Sequence, residues 1–249
     1  MSTAPAEPWP YPKLAAHRGA GKLAPENTLA AMRVGYARGY RMVEFDAKLS
    51  ADGHIILMHD DTVERTSNGA GRVADLTWEA LSHLDAGSWH SRAYAGEPIP
   101  LLEGIARYLI ANGIAANIEI KPCPGREQET GRAVALAARE LWRNAVPPLL
   151  TSFSESALEA ARDATPNFPR GLLSEQVPGD WSSRMQRLGC IALVLDHRCI
   201  TRALAAEVKN AGYRLLTYTV NDAGQAAELL SWRVDCVITD AVDRIPAQS

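Results

Sequence analysis

Short apolar runs alternate with longer segments in which apolar residues recur every three or four positions along most of the chain. The short runs predict buried strands, and the longer spacing predicts amphipathic helices. Strands that alternate with helices favour βαβ units and a parallel sheet. Nine strands are predicted, at residues 13–17, 42–47, 54–59, 116–121, 149–153, 170–174, 191–196, 214–220 and 235–239. Seven helices are predicted between them, at residues 28–38, 101–111, 127–142, 155–164, 181–188, 201–210 and 223–231.

The second and third predicted strands are separated by a short turn instead of a helix. Asp52-Gly53 lies between them, and Asp-Gly between two apolar runs is a strong hairpin signal. One of these two strands is therefore expected to be an antiparallel addition, which leaves eight parallel strands. The sequence predicts the α/β class and a (β/α)8 TIM barrel, and a doubly wound open sheet is the alternative.

Residues 61–100 interrupt the alternation, because they are rich in turn formers and contain one short helical stretch at 78–84. We interpret them as a small insertion after the second-strand hairpin, which lies above the barrel and is not a second domain. The predicted organisation is a flexible, proline-rich lead-in at residues 1–12 followed by a single catalytic barrel domain at residues 13–249.

Composition and charge narrow the possible partners. The chain has 249 residues, of which 47% are hydrophobic, and a formal net charge of −3, so it lacks the basic surface of a nucleic-acid binder. Its four cysteines form no CxxC pair, which disfavours a zinc site or a disulfide framework. The chain has no signal-peptide pattern and no apolar run long enough for a membrane helix. We therefore expect a cytoplasmic protein without stable membrane association.

Carboxylates interrupt two of the apolar strands. Side chains alternate across a strand, so Glu44 and Asp46 share one face, and Glu119 and Lys121 share one face of another strand. In a TIM barrel, residues at the carboxyl ends of the strands form the active site. We therefore expect these four side chains to meet at one end of the barrel.

Buried carboxylates on one face repel each other and resist desolvation, so a cation is expected between them. Three converging carboxylates, from Glu44, Asp46 and Glu119, favour one hard divalent cation, Mg²⁺ or Ca²⁺, and Mn²⁺ is also compatible. The alternative is that arginines at the barrel rim pair with the acids. The third carboxylate, in a second strand, makes the metal site the preferred interpretation.

Two histidines follow predicted strands at the same end of the barrel. His17 and Arg18 follow the first strand, and His59 returns through the hairpin toward the level of Asp46. The pKa of histidine near neutrality suits general acid–base catalysis. Arg18 and Lys121 would bind an anionic group. A divalent cation, two histidines and two cationic side chains are together what phosphoester cleavage requires.

Eight motifs occur in a fixed order between His17 and about Asp240, and together they are far more specific than any one of them. They are HRGAGKLAPENTL, VEFDAKLSADGHIILMHDDTVERTSNGAGRV, LDAGSW, GEPIPLLE, NIEIKP, TSF, YTVND and VITD. In these motifs the chain resembles the glycerophosphodiester phosphodiesterases of the bacterial cytosolic type.

The resemblance implies a (β/α)8 barrel that hydrolyses small glycerophosphodiesters, with a divalent metal, to sn-glycerol 3-phosphate and an alcohol such as choline, ethanolamine or glycerol. The mechanism described for the family begins with attack by a glycerol hydroxyl of the substrate, which gives a cyclic phosphate that water then opens. The resemblance assigns the metal to Glu44, Asp46 and Glu119, acid–base catalysis to His17 and His59, and phosphate contacts to Arg18 and Lys121.

One departure from the family pattern concerns the substrate. Tyr218 stands where many relatives carry tryptophan, and we expect this aromatic ring to bind the glycerol or the head group and to alter preference without abolishing activity. Two alternatives remain: a lysophospholipase D-type hydrolase on the same barrel, and a barrel that binds phosphodiesters without catalysis. Loss of one histidine or acid would mark the second alternative, and all seven residues are present.

Overall fold

The computed structural model describes residues 9–247, which form a closed parallel barrel. The first strand pairs with the ninth and also with the second, so the parallel sheet closes on itself. This closure confirms the TIM barrel and rules out the open-sheet alternative. The strands are β1 (Leu14–Ala16), β2 (Met42–Leu49), β3 (Ile55–Leu57), β4 (Ala115–Ile120), β5 (Leu149–Ser152), β6 (Arg170–Ser174), β7 (Ala192–Asp196), β8 (Arg214–Tyr218) and β9 (Cys236–Thr239).

The predicted hairpin is confirmed. β3 pairs antiparallel with β2, and the turn between them contains Gly53 with a φ of 84°, a left-handed conformation that glycine adopts without a steric penalty. β3 is therefore the additional strand, and the other eight strands form the parallel barrel.

Helices follow the barrel strands at the predicted positions, within two residues at each end. Most begin at a side chain that caps free backbone N–H groups, such as Thr28, whose hydroxyl accepts a hydrogen bond from the N–H of Ala31 at 3.2 Å. The helices are α1 (Leu29–Ala37), α2 (Trp78–Ser82), α3 (Leu102–Ala111), α4 (Glu127–Leu141), α5 (Glu155–Ala164), α6 (Trp181–Leu188), α7 (Arg202–Asn210) and α8 (Ala223–Ser231).

The two faces of each strand have different partners. The outward side chains, such as Phe45 and Ile118, pack with the helices in the main hydrophobic core. The inward side chains form a second, smaller apolar cluster near the amino ends of the strands, which includes Met42, Leu149 and Val194. Toward the carboxyl ends the inward positions become polar, and this change from apolar to polar places the candidate site at the top of the barrel.

The described part of the predicted lead-in packs against the barrel. The first eight residues lie outside the described residues. Tyr11 is buried, its hydroxyl donates to the carbonyl oxygen of Pro147 at 2.8 Å, and its ring meets that of Trp9 edge-on. These two rings belong to the inner apolar cluster at the amino end of the barrel. The prediction of a flexible segment that reaches residue 12 is therefore wrong for Tyr11, because its ring is buried at the bottom of the barrel.

Residues 61–100 pack around a small apolar cluster of their own. Val63, Val73, Leu81 and Ile99 are buried together with Ile56 of β3. The short helix predicted at 78–84 is α2. Because Ile56 of β3 packs in this cluster, the segment is held against β3, and His59 lies just after that strand.

Candidate functional site

Three buried carboxylates meet at the carboxyl ends of β2 and β4. One ligand oxygen from each of Glu44, Asp46 and Glu119 lies within 4.8 Å of the others, and the three residues are at most 8% exposed. Their position follows from the strand register, because Asp46 and Glu119 are direct partners across β2 and β4. Like charges directly opposite each other in a sheet are destabilising, so this arrangement needs a compensating cation.

Crowding and burial shift two of these acids toward their protonated form. Burial and the neighbouring Asp46 carboxylate raise the pKa of Glu44 to about 7 and that of Glu119 to about 8. The pKa of Asp46 is lowered instead, because Arg18 and other cationic side chains outweigh its burial. Three oxygen donors of this kind fit a hard divalent cation, which would offset their repulsion.

Asp46 is also fixed by a side chain from the loop before α1. Asn27 donates from Nδ2 to Oδ2 of Asp46 at 2.8 Å, and its Oδ1 accepts a hydrogen bond from the Asp46 backbone N–H at 3.1 Å. Asn27 adopts a positive φ of 59°, which asparagine tolerates better than most residues. These two hydrogen bonds orient the Asp46 carboxylate, so Asn27 positions a proposed metal ligand.

His17 follows β1 and is held by an acid from the other end of the chain. Its Nδ1 donates to Oδ1 of Asp240 at 2.6 Å, and its Nε2 lies 3.8 Å from Oε2 of Glu44. Burial disfavours the charged imidazole, but the hydrogen bond to Asp240 and the Glu44 carboxylate outweigh it and raise the pKa of His17. His17 is thus suited to carry a proton on the nitrogen that faces the carboxylates.

Gly21 allows the loop after His17 to approach Asp240. Its φ is 56°, and a β-carbon at this position would lie 2.1 Å from the carbonyl oxygen of Asp240. Any larger residue would force the loop and the Asp240 backbone apart. Glycine at this position therefore permits the close contact between the loop after β1 and the residue after β9.

His59 lies where the hairpin predicts it. The backbone N–H of Met58 donates to the carbonyl oxygen of Asp46 at 3.1 Å, which places His59 beside the top of β2. Its Nδ1 donates to Oδ1 of Asp60 at 2.7 Å. Burial lowers the pKa of His59, although the Asp46 charge opposes the shift. The pKa values of the two histidines are therefore shifted in opposite directions. The raised pKa of His17 suits a proton donor, and the lowered pKa of His59 suits a proton acceptor.

Arg18 and Lys121 lie on the two sides of the carboxylates. The backbone N–H of Arg18 donates to Oε2 of Glu44 at 3.1 Å, and its Nε lies 3.5 Å from Oδ2 of Asp46. Lys121 donates from Nζ to Oε1 of Glu119 at 2.7 Å and lies 4.0 Å from Oδ1 of Asp46. These cations lower the electrostatic cost of the carboxylate cluster and place positive charge on two sides of it.

A cavity of about 760 Å³ opens above these residues. Both histidines, Arg18 and Lys121 line it on the side of β1–β4, and aromatic residues line it on the side of β5–β8. Phe153 is 41% exposed, and its ring meets the Tyr218 ring edge-on at 5.9 Å. The Tyr218 hydroxyl donates to the carbonyl oxygen of Ser174 at 3.1 Å, which fixes the ring. The cavity thus has one side lined by cationic side chains and another lined by aromatic rings.

All eight sequence-predicted site residues lie at this end of the barrel. Seven of them line the cavity, and Asp46 lies just beneath it with its carboxylate in the acidic cluster. The sequence reasoning missed three supporting residues: Asn27, Asp240 and Arg65. Each contributes a hydrogen bond to a residue 5 to 223 positions away, and local patterns do not reveal such partners.

The described residues contain no helix that combines the length and the apolar character needed to cross a bilayer.

Comparison with known proteins identifies a family. The sequence profile of the glycerophosphoryl diester phosphodiesterase family matches residues 17–244. A glycerophosphodiester phosphodiesterase of Caldanaerobacter subterraneus is 31% identical over 230 residues, which cover 90% of this chain and 92% of the relative. One of Bacillus subtilis is 30% identical over 248 residues, which cover 92% of this chain and 83% of that protein.

A solved structure has the same architecture. An Oleispira antarctica phosphodiesterase, solved in complex with its product sn-glycerol 3-phosphate, is 35% identical to this chain and superposes with a TM-score of 0.90. The match covers 94% of this chain and 95% of that chain.

Proposed function

The chain belongs to the glycerophosphoryl diester phosphodiesterase family, and from this premise we propose that it hydrolyses glycerophosphodiesters to sn-glycerol 3-phosphate and an alcohol. The observation that carries the proposal is the geometry of one cavity. Two histidines with opposite pKa shifts, two cationic side chains, Glu44 and Glu119 line this cavity, and the third carboxylate of the acidic cluster lies just beneath it. A barrel that only bound a phosphodiester would not need this acid–base pair.

We propose that His59 accepts the proton of the attacking hydroxyl in the first step and that His17 donates a proton to the leaving alcohol oxygen. The lowered pKa of His59 favours its neutral form, and the raised pKa of His17 favours its protonated form. In the family mechanism the nucleophile is a glycerol hydroxyl of the substrate. The P–O bond to the alcohol breaks as the cyclic phosphate forms. The two histidines then exchange roles when water opens the ring.

Glu44, Asp46 and Glu119 are the residues that would hold one divalent cation, and the carboxylate donor set suits Mg²⁺, Ca²⁺ or Mn²⁺. When bound, such a cation supplies positive charge that stabilises the developing charge on the phosphoryl oxygens. Asn27 keeps the Asp46 carboxylate oriented, and Lys121 fixes that of Glu119.

Arg18 and Lys121 are proposed to bind the phosphate from opposite sides, since both line the cavity next to the carboxylates. The rings of Phe153 and Tyr218 are proposed to pack against the carbon atoms of the glycerol or the head group. The substrate would therefore lie with its phosphate toward β1–β4 and its carbon chain toward β5–β8.

The four cysteines are free thiols, and Cys199 is partly exposed. Unpaired thiols are typical of proteins in reducing compartments. This supports the proposal that the enzyme acts in the cytoplasm.

The test is release of sn-glycerol 3-phosphate from glycerophosphocholine and from glycerophosphoethanolamine. The protein is first treated with EDTA, and Mg²⁺, Ca²⁺ or Mn²⁺ is then restored separately. We expect EDTA to stop the release and at least one metal to restore it. The His17→Ala/His59→Ala double variant, prepared in the same way, excludes a contaminating activity. If the wild-type protein releases no product with any of the metals, the proposed function is wrong.

A further inference from the structure

We propose that Arg65, which lies in the inserted segment, is a positioning residue that joins the Arg18 loop to the His59 loop and holds both in register over the cavity. This inference rests on the proposed function, because it concerns how the same reaction is supported. Arg65 does not line the cavity. It acts instead through two carboxylates. Asp60 holds the His59 ring, and Glu26 holds the Arg18 guanidinium.

The first carboxylate is that of Asp60. Arg65 donates from Nε to Oδ2 of Asp60 at 2.5 Å and from Nη2 to Oδ1 at 3.0 Å. The same Oδ1 accepts the hydrogen bond from Nδ1 of His59 at 2.7 Å. A carboxylate held by two parallel N–H donors has little freedom to rotate. Arg65 thus fixes the acceptor that determines the orientation and the tautomer of the His59 ring.

The second carboxylate is that of Glu26. Arg65 donates from Nη1 to Oε2 of Glu26 and from Nη2 to Oε1, both at 2.8 Å. Oε1 of Glu26 also accepts a hydrogen bond from Nη1 of Arg18 at 2.7 Å. Glu26 is therefore shared by two guanidinium groups, and its side chain is only 13% exposed. Arg65 thus fixes the carboxylate that anchors the proposed phosphate-binding side chain.

The result is a continuous hydrogen-bonded chain in which the charges of Arg18, Glu26, Arg65 and Asp60 alternate, and it ends at the imidazole of His59. Five hydrogen bonds to Glu26 and Asp60 come from two arginines, and the Glu26 pKa is lowered although burial opposes this. The loop that carries Glu26 precedes α1, whereas Asp60 follows β3. Arg65 therefore joins two loops that share no strand.

An arginine is required because one guanidinium must contact two carboxylates with a fixed planar set of donors. A lysine ammonium is a point charge and cannot form two forked pairs at once. Arg65 also gives the inserted segment a role in the reaction, since the neighbouring Val63 is buried in the apolar cluster that anchors this segment to β3.

The test compares Arg65→Ala and Arg65→Lys with the matched control Arg72→Ala. Arg72 belongs to the same segment, its side chain is 58% exposed, and its ion pair with Asp75 is 4.0 Å long. Steady-state release of sn-glycerol 3-phosphate, thermal unfolding and the metal-dependent rise in Tm are measured for each. Arg65→Ala is then assayed again with added guanidinium chloride at millimolar concentrations, below those that unfold proteins.

We expect Arg65→Ala to lower kcat/KM on the order of 100-fold, mainly through kcat, because small displacements of reacting groups have effects of this size. Its Tm and its response to metal should remain close to those of the wild type. Guanidinium should restore part of the activity of Arg65→Ala without stimulating Arg72→Ala. Arg65→Lys should stay well below the wild type.

Two results would overturn the inference while leaving the proposed function intact. One is an Arg65→Ala enzyme within about twofold of a working wild type. The other is full activity of Arg65→Lys together with no guanidinium rescue of Arg65→Ala. That result would mean that position 65 needs only a positive charge and not the forked geometry of an arginine. A wild-type protein that releases no product under any metal condition would overturn the proposed function, and this inference with it.

Discussion

Nδ1 of His17 and Oδ1 of Asp240 lie 2.6 Å apart, although 223 positions separate them in the sequence. The bond joins the residue after β1 to the residue after β9, at the point where the barrel closes. Asp240 also accepts a hydrogen bond from Asn221 through its other oxygen at 3.4 Å, and its backbone N–H donates to Oδ1 of Asn221 at 2.9 Å. The carboxylate is thus oriented from two sides, and it sets the tautomer of His17.

Asp240→Asn should therefore reduce turnover without unfolding the barrel. The amide can present its N–H to Nδ1 and favour the wrong tautomer, so a loss of about 10²–10⁴-fold in kcat is expected, the range of general acid–base catalysis. The loss is measured by release of sn-glycerol 3-phosphate and compared with Asp243→Asn, a nearby exposed control whose side chain is 41% exposed. Normal turnover by Asp240→Asn would show that Asp240 does not position His17.

His59→Ala should lower kcat by about 10²–10⁴-fold while the metal still raises Tm. The side chain lies at the cavity wall and is not a proposed metal ligand, so the carboxylate cluster is expected to persist. His54→Ala is the control, because His54 lies in the β2–β3 hairpin and its side chain is 49% exposed. A His59→Ala enzyme with near-normal kcat would remove His59 from the acid–base pair.

Glu119→Gln should abolish metal-dependent activity and most of the metal-induced rise in Tm. The substitution keeps the size of the side chain and removes one of three charged donors, so the fold should survive. Glu140→Gln, on the exposed side of α4, serves as the control. Retention of both the metal response and the activity in Glu119→Gln would favour a purely structural role for the acids.

The metal-free protein should lose stability as the pH rises. The pKa of Glu44 is raised to about 7 and that of Glu119 to about 8, above the ordinary carboxylate value of 4.5. The folded state therefore holds these protons while the unfolded state releases them. The resulting stability is fully present below pH 4.5 and is lost as the pH rises through about 8.

The loss should be on the order of 3 kcal/mol for Glu44 alone, which corresponds to a Tm decrease of roughly 5–10 °C. It is measured by thermal unfolding in EDTA between pH 5 and pH 8.5. Added Mg²⁺ should flatten the pH dependence, because it stabilises the ionised carboxylates. An EDTA-treated protein whose Tm rises over this interval would contradict the prediction.

Tyr218→Ala should raise the KM for glycerophosphocholine severalfold and change kcat less. The ring forms the cavity wall opposite the carboxylates and packs edge-on against Phe153, away from the acid–base pair. Tyr218→Phe keeps the ring and loses only the bond to Ser174, so it should remain close to the wild type. Equal KM values for the wild type, Tyr218→Ala and Tyr218→Phe would mean that the ring does not contact the substrate.

Much of this architecture follows from local sequence patterns. Apolar runs and the Asp52-Gly53 turn are short-range signals, and they predicted all nine strands and the antiparallel hairpin. The alternation of side chains across β2 and β4 then predicted that Glu44, Asp46 and Glu119 converge, and the structure confirms that they do. The catalytic and substrate-binding roles of His17, His59, Arg18, Lys121 and Tyr218 remain predictions.

The supporting residues could not be predicted in this way. Asp240 lies in the VITD motif, but nothing in that motif shows that its carboxylate meets His17 across the closure of the barrel. Asn27 and Arg65 lie in loops, where their partners depend on how distant strands are placed. Tyr11 is a similar case, because its neighbourhood is rich in proline and suggests a loose segment, whereas its ring fills the barrel bottom.

The two sides of the cavity come from two different parts of the chain, so each side can change in sequence without the other. The proposed reacting groups all come from residues 17–121, whereas the aromatic wall comes from residues 153 and 218. We therefore expect substitutions in the second half of the barrel to change which alcohols fit without altering the chemistry, provided that Asp240 is kept. Chimeras that exchange β5–β8 between relatives should transfer head-group preference while the first half of the chain supplies the same reaction.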